Sequence, residues 1–449
     1  MIGTVLSTMD GTIANVALPT IATDVHASAA TSIWIVNAYQ LAISVSLLSF
    51  ASLGDIFGYG RIYRWALIVF TAASLICALS HSLLALTLGR VVQGFAASAQ
   101  MAVSPAVGRS LYPRAQLGRA ISNSAFAVAI SAVAGPAVAG AILSVAPWPW
   151  LFLINLPIGA VAIALAFRYL PEHAGTRHPF DVPSAVASAL TFGLFVAAID
   201  GFGHGVNKAV NAVELIAMLF CAILLLRRQR LLTVPMIAVD LFRRSLFSLS
   251  VATSYLSFIG QALTIVTLPF YFEDVLGFSA VKTGLLMTPW PLAIMLVAKP
   301  AGRLADRYPA GVLTTIGMLV VASGLVLILL LPADPSAIDI AWRTAICGLG
   351  TGFFQSPNNR AIMGSAPMER SGAAGGIQAM ARVTGQTTGA ALVALVFGIF
   401  EAGMHANRTG ITVALELAIA FTLVAALISS LRLRAQVESN RAAQQYQTE

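Results

Sequence analysis

The chain has 449 residues, of which 58% are hydrophobic and only 10% charged, with a net charge of +8. Soluble domains carry roughly 25% charged residues, so this composition excludes a soluble core and makes lipid the solvent for most of the apolar surface. The basic residues are scattered through short loops rather than gathered on one face, which excludes a nucleic-acid surface.

Apolar runs between polar or Pro/Gly breaks predict an all-α polytopic membrane protein with fourteen spans. In chain order they are Ile2–Ala22, Ile33–Ile56, Ile62–Leu79, Leu83–Val107, Ala120–Val145, Leu151–Leu170 and Ser184–Phe202. Val213–Leu226 with its flanks, Leu246–Phe270, Lys282–Ala301, Gly311–Leu331, Trp342–Met363, Ala373–Phe400 and Ile411–Leu431 follow. The N-terminus has no basic stretch or small-residue cleavage site before Asp10, so it is expected to be a retained first helix. An even number of spans places both termini on one side. Most of the 26 Lys and Arg residues fall in the loops after even-numbered spans or in the C-terminal tail, among them Arg61, Arg109, Arg227, Arg303 and Arg432. Lys208, Lys282, Arg343 and Arg408 fall on the other side, and Arg90 and Arg382 fall within spans. The positive-inside rule therefore puts both termini in the cytoplasm.

The loop after span 2 reads Gly54-Asp55-Ile56-Phe57-Gly58-Tyr59-Gly60-Arg61, and that after span 10 reads Gly302-Arg303-Leu304-Ala305-Asp306-Arg307. Both join a Gly that lets helices approach to an acid and a base in a tight turn. Gln93-Gly94-Phe95 in span 4 loosely matches Thr351-Gly352-Phe353 in span 12. These pairs make spans 1–6 and 9–14 two equivalent six-helix halves, with spans 7 and 8 inserted between them. The expected divisions are residues 1–170, 171–245, 246–435 and a tail of 436–449. Duplicated halves around a central cavity are the architecture of secondary transporters that alternate access.

An acid near mid-membrane costs at least a few kcal/mol and is rarely there without a role. Asp10 lies roughly 13 Å from the cytoplasmic face, and Arg90 roughly 10 Å from the opposite face, at 1.5 Å rise per residue. In a core about 30 Å thick their depths differ by only several Å, so the two can meet across a cavity as a charge-coupled proton and cation site. The alternative is a structural ion pair that neutralises two buried charges. Asn15 and Gln93 are further cavity candidates, as are Gln378, Arg382 and Gln386, which recur at helical spacing in span 13. Arg382 equally suits backbone carbonyls near a Gly-rich bend. Asp200, Glu214, Glu401 and Glu416 sit near outer span ends and read as interfacial. In span 5, Gly135, Pro136 and Gly140 lie in a run of small residues that permits close packing, and Pro136 removes a backbone hydrogen bond.

Cys77, Cys221 and Cys347 lie singly in three apolar runs and read as buried small hydrophobes. The six histidines are isolated, and no phosphate loop, zinc spacing or nucleophile elbow occurs, so neither an enzymatic reaction nor a metal or cofactor is expected.

Together these segments resemble the fourteen-helix drug:proton antiporter branch of the major facilitator superfamily across essentially the whole chain. The resemblance rests on Asp10 to Pro19, on Gly54-Asp55 through Arg61, and on Arg90, Gln93 and Gly94. It rests also on Gly135-Pro136 to Gly140 and on Trp150 through Asn155 to Pro157. It implies the major facilitator fold, two six-helix bundles plus two inserted helices, and proton-driven export of amphipathic, cationic drugs by alternating access. It implies Asp10 as the coupling acid and Gly135-Pro136 to Gly140 as the antiport motif. It further implies that Asp55 docks near Ser371-Gly372-Ala373 to latch the outward-facing state. A proton gradient supplies the energy, and the partners are small-molecule substrates, protons and the lipid bilayer. A monomer in the bacterial cytoplasmic membrane is expected. The chain departs from the family at Ala139, at Pro149 and at Arg382, where several relatives carry an acid in span 13; this argues for monovalent over divalent cations. A dedicated exporter of one metabolite or antibiotic would use the same residues. A passive facilitator would need no titrating acid, and a non-transporting scaffold would need no duplicated loop motifs.

Overall fold

The computed structural model describes residues 2–448 apart from 112–116, 171–179, 204–207, 232–238, 306, 333, 367–370 and 401–406. Each of the fourteen expected runs is mostly helical over its described residues. They are α1 (Ile2–Asp24), α2 (Trp34–Phe57), α3 (Tyr59–Ala78), α4 (Leu83–Leu111), α5 (Leu117–Val145), α6 (Asn155–Tyr169) and α7 (Val182–Gly203). Next come α8 (Lys208–Leu231), α9 (Ser245–Phe270), α10 (Ala280–Met287, resumed at Pro289–Leu304), α11 (Ala310–Leu329), α12 (Ala337–Ser365), α13 (Ser371–Ile399) and α14 (Arg408–Thr448). Helices satisfy every backbone polar group within one segment, which is what hydrocarbon demands. Among the described residues ten helical segments are long and apolar enough to cross a bilayer. The helices α1, α4 and α12 are more polar, and their Asp10, Arg90, Gln93 and Asn358 are buried within the protein.

The last helix does not stop at the expected end of span 14. It runs on to Thr448, so the segment expected as a tail continues the helix. Arg432, expected as a flanking cation, is fully buried: its guanidinium donates to Ser250 Oγ, Asn358 Oδ1 and Ser429 Oγ.

The chain forms two compact units. One comprises Met1–Met236, Ile265–Thr288 and Ala390–Ala414; the other comprises Ile237–Thr264, Pro289–Gly389 and Leu415–Glu449. Within the first, α4 closes on α2 where Gly94 leaves room: a Cβ there would stand 2.6 Å from the Tyr39 carbonyl oxygen. Within the second, α12 closes on α10 in the same way, with Gly348 against the Trp290 carbonyl at 2.2 Å. The inserted helices α7 and α8 pack on each other, and α7 also lies against α2. Asp181 caps α7 by accepting from the Ser184 N–H, and Arg228 of α8 binds the same carboxylate at 2.8 Å.

Candidate functional site

Asp10 of α1 is 2% exposed, and Arg90 of α4 is completely buried. They meet directly: Arg90 Nη1 donates to Asp10 Oδ2 at 2.5 Å. The second carboxylate oxygen, Oδ1, accepts from Gln93 Nε2 at 3.0 Å and from Asn155 Nδ2 at 2.8 Å. Ser74 of α3 accepts from the same two amides at 2.9 and 3.3 Å. Arg90 gives a further bond to Gln93 Oε1 at 2.6 Å and one from Nε to the Ile35 carbonyl at 3.2 Å. Three transmembrane helices, α3, α4 and α6, thus place polar side chains on the Asp10 carboxylate of α1 or on its partners. The sequence spaced Arg90 and Gln93 one turn apart, so both face α1.

Aromatic rings complete the surroundings. The Arg90 guanidinium carbon lies 4.0 Å from the centre of the Tyr39 ring and 5.8 Å from that of Phe152. Arg90 Nη2 and Asn155 Oδ1 are buried with no hydrogen-bond partner. The thiol of Cys77, also buried, lies 3.8 Å from Gln93 Oε1. The cluster is a sealed polar core of the first bundle, whereas the sequence led us to expect the two charges to face a cavity.

The remaining expected residues divide clearly. Asn15 turns its amide onto the Gly11 carbonyl of its own helix at 3.0 Å, leaving Oδ1 buried and unpartnered. Gln378, Arg382 and Gln386 lie partly buried on one face of α13, in the other compact unit. In the first loop motif, a Cβ at Gly54 would stand 2.7 Å from Val103 Cγ1, and Gly58 takes φ 89°, where a side chain is strained. The Tyr59 hydroxyl donates to the Asp55 carboxylate, and Arg61 is exposed. The second copy differs. A Cβ at Gly302 would meet nothing within 4 Å, so this glycine does not serve close approach as expected. Arg307 is exposed, and Asp306 lies outside the described residues.

The span-5 motif makes the tightest contacts. A Cβ at Gly135 would stand 1.9 Å from the Thr12 hydroxyl of α1. On its other side α5 meets α10: a Cβ at Gly140 would stand 3.0 Å from the Val281 carbonyl, and one at Gly284 only 2.3 Å from the Pro136 carbonyl. Ser74, Tyr39 and Phe152 carried no signal as site residues, because Ser, Tyr and Phe are ordinary in apolar helices. Asn155 stood out only as part of the segment opening span 6.

In the second unit, α9, α10, α12 and α14 contribute to the lining of a small cavity. Ser257, Gln261, Trp290, Phe354, Thr351 and Thr422 line it, and Trp290 Nε1 is buried without a partner. Among the described residues no three His, Cys, Asp or Glu side chains gather closely enough to hold a metal.

The sequence model described as "Major Facilitator Superfamily" matches residues 1–390. The chain belongs to the major facilitator superfamily. Its fold is that of the superfamily, and its relatives are transporters of small molecules. It is 52% identical over 435 residues to the "Uncharacterized transporter YebQ" of Escherichia coli (strain K12), covering 96% of this chain and 94% of that protein. It is 32% identical to the "Riboflavin transporter RibZ" of Clostridioides difficile (strain 630), covering 85% and 83% of the two chains. To the "Multidrug efflux pump LfrA" of Mycolicibacterium smegmatis (strain ATCC 700084 / mc(2)155) it is 29% identical, covering 90% and 82%.

Proposed function

We propose that this transporter is a proton-coupled antiporter of the fourteen-helix drug:proton branch, exporting amphipathic cations from the cytoplasm by alternating access. It works as a monomer in the bacterial cytoplasmic membrane with both termini inside. The observation that carries this reading is Asp10 bound to Arg90 Nη1 at 2.5 Å, in a core that excludes water. Protonating Asp10 removes the charge that the guanidinium answers and leaves Arg90 among neutral partners, so binding a proton and rearranging α1 against α4 are one event. A cationic substrate that competes for the same carboxylate is then exchanged for the proton. The likeness to a multidrug efflux pump supports drug export.

The test is dye efflux in inverted membrane vesicles under an imposed proton gradient, comparing wild type with Asp10→Asn. Gradient-driven movement of a monovalent cationic dye, lost in Asp10→Asn, is expected. Gradient-independent movement would sink the antiport. The second reading, a dedicated metabolite exporter, has a specific observation in its favour in the 32% identity to a riboflavin transporter. Movement of riboflavin with no movement of any cationic dye would favour it.

A further inference from the structure

Ten residues beyond Asp10, about 15 Å along α1, the Thr20 hydroxyl donates to Glu273 Oε2 at 3.3 Å. Glu273 sits in a π-helical turn, Tyr271–Val275, that follows α9 directly after Pro269 and Phe270. Such turns insert an extra residue and re-aim side chains, and they concentrate at functional places. Here the turn carries the carboxyl inward. The Thr283 hydroxyl of α10 adjoins it. Glu273 Oε1 and Thr283 Oγ1 are nevertheless both buried without a partner at hydrogen-bond distance.

No cation pairs with this carboxyl among the described residues. The charged groups on the elements packed around it are few. Asp274, its neighbour, has the same sign. Asp24 at the end of α1 accepts from Trp148 Nε1 at 2.6 Å, and the Lys282 ammonium lies 3.2 Å from the centre of the Phe278 ring. Described residues 390–400 at the end of α13 carry no charge. A part-buried carboxylate with one oxygen sealed from solvent and no cation beside it is costly. One proton removes that cost, because the neutral carboxyl needs no cation between the packed ends of α1, α9 and α10.

We propose that Glu273 is a second proton-binding site, separate from the Asp10 cluster, and that the outer ends of α1, α9 and α10 pack together only while its carboxyl is protonated. The word outer rests on the orientation given under the proposed function. The carboxylate takes its proton from the outer aqueous phase as these ends close and returns it there when they open. This proton gates without crossing the membrane, whereas that of Asp10 couples. Acidity outside therefore favours the packed arrangement of these ends.

The test is double electron–electron resonance on the full chain in lipid nanodiscs, with spin labels at Thr23→Cys and Leu285→Cys, both exposed positions, and Cys221→Ser in the background. In wild type the separated population should grow between pH 5 and pH 9. Its ratio to the packed one should change by up to about tenfold per pH unit, the linkage slope of a single proton. Glu273→Gln should stay packed at every pH, and Glu273→Asp should still titrate. A Glu273→Gln protein that titrates like wild type, or a wild type whose distances ignore pH, would overturn the proposal. The measurement needs neither substrate nor gradient, so failure of the antiport reading in vesicles and failure here are separate results.

Discussion

The ring of Tyr39 lies against the Arg90 guanidinium at 4.0 Å, while its hydroxyl donates to the Ser7 carbonyl of α1 at 3.3 Å. One side chain therefore covers the buried cation and ties α2 to the helix that carries Asp10. Tyr39→Phe keeps the ring and should lose about 1 kcal/mol of stability with efflux largely intact. Tyr39→Leu also removes a desolvated cation–π contact, worth about 2 kcal/mol, and should reduce efflux as well. Thermal unfolding in detergent and vesicle transport check the pair.

Breaking the ion pair from one side should cost more than removing it whole. Arg90→Gln leaves the Asp10 carboxylate buried without its cation, a penalty of about 3–5 kcal/mol. The double variant Asp10→Asn with Arg90→Gln should regain much of that stability and still fail to move protons. Equal instability of single and double variants would contradict this account.

Packing at the span-5 motif predicts an order of damage. Gly284→Ala drives a Cβ against a backbone carbonyl at 2.3 Å, and backbone cannot yield cheaply. It should destabilise by about 1–3 kcal/mol and lower the transport rate. Gly135→Ala meets the Thr12 side chain first, so adding Thr12→Ala should recover part of its loss. Turnover in proteoliposomes measures both.

The pair Asp181–Arg228 gives a pH prediction outside the spans. Partial burial pushes the Asp181 carboxyl up, but bonds from Arg228 and Ser184 more than offset this, and it ends below the ordinary value of 3.8. The ionised form is the one bound in the folded state. Its contribution to α7–α8 docking is therefore complete above that ordinary value and is lost as pH falls through the lowered one. Arg228 is 42% exposed, so screening keeps the contribution to roughly 0.2–1 kcal/mol. Asp181→Asn should lower the melting temperature slightly at pH 7 and make progressively less difference as pH falls below 3.8, as read by detergent thermal shift.

Much of the fold was legible because apolar runs and their breaks report membrane crossings directly. The site was legible where it used charge, since Asp10 and Arg90 interrupt apolar runs. The neutral members Ser74 and Tyr39 were not, because only the register of packed helices brings such common residues to the carboxylate. Asn15 shows another pattern: a polar residue near the acid can turn its amide onto its own backbone. Arg432 looked like a flanking cation because hydropathy ends where it stands, yet the helix continues and folds it inward. Glu273, beside Asp274 at the end of an apolar run, raised no expectation in the sequence, and only the π-turn aims it at Thr20.

The Cys77 thiol lies against Gln93, one residue away from Asp10, and it is shielded in the packed bundle. Any step that admits water to the acid must loosen the wall to which this sulfur belongs. The protein thereby carries its own chemical clock: the rate at which a small maleimide modifies Cys77 counts how often the core breathes. Substrate or gradient that quickens turnover should quicken that modification in proportion.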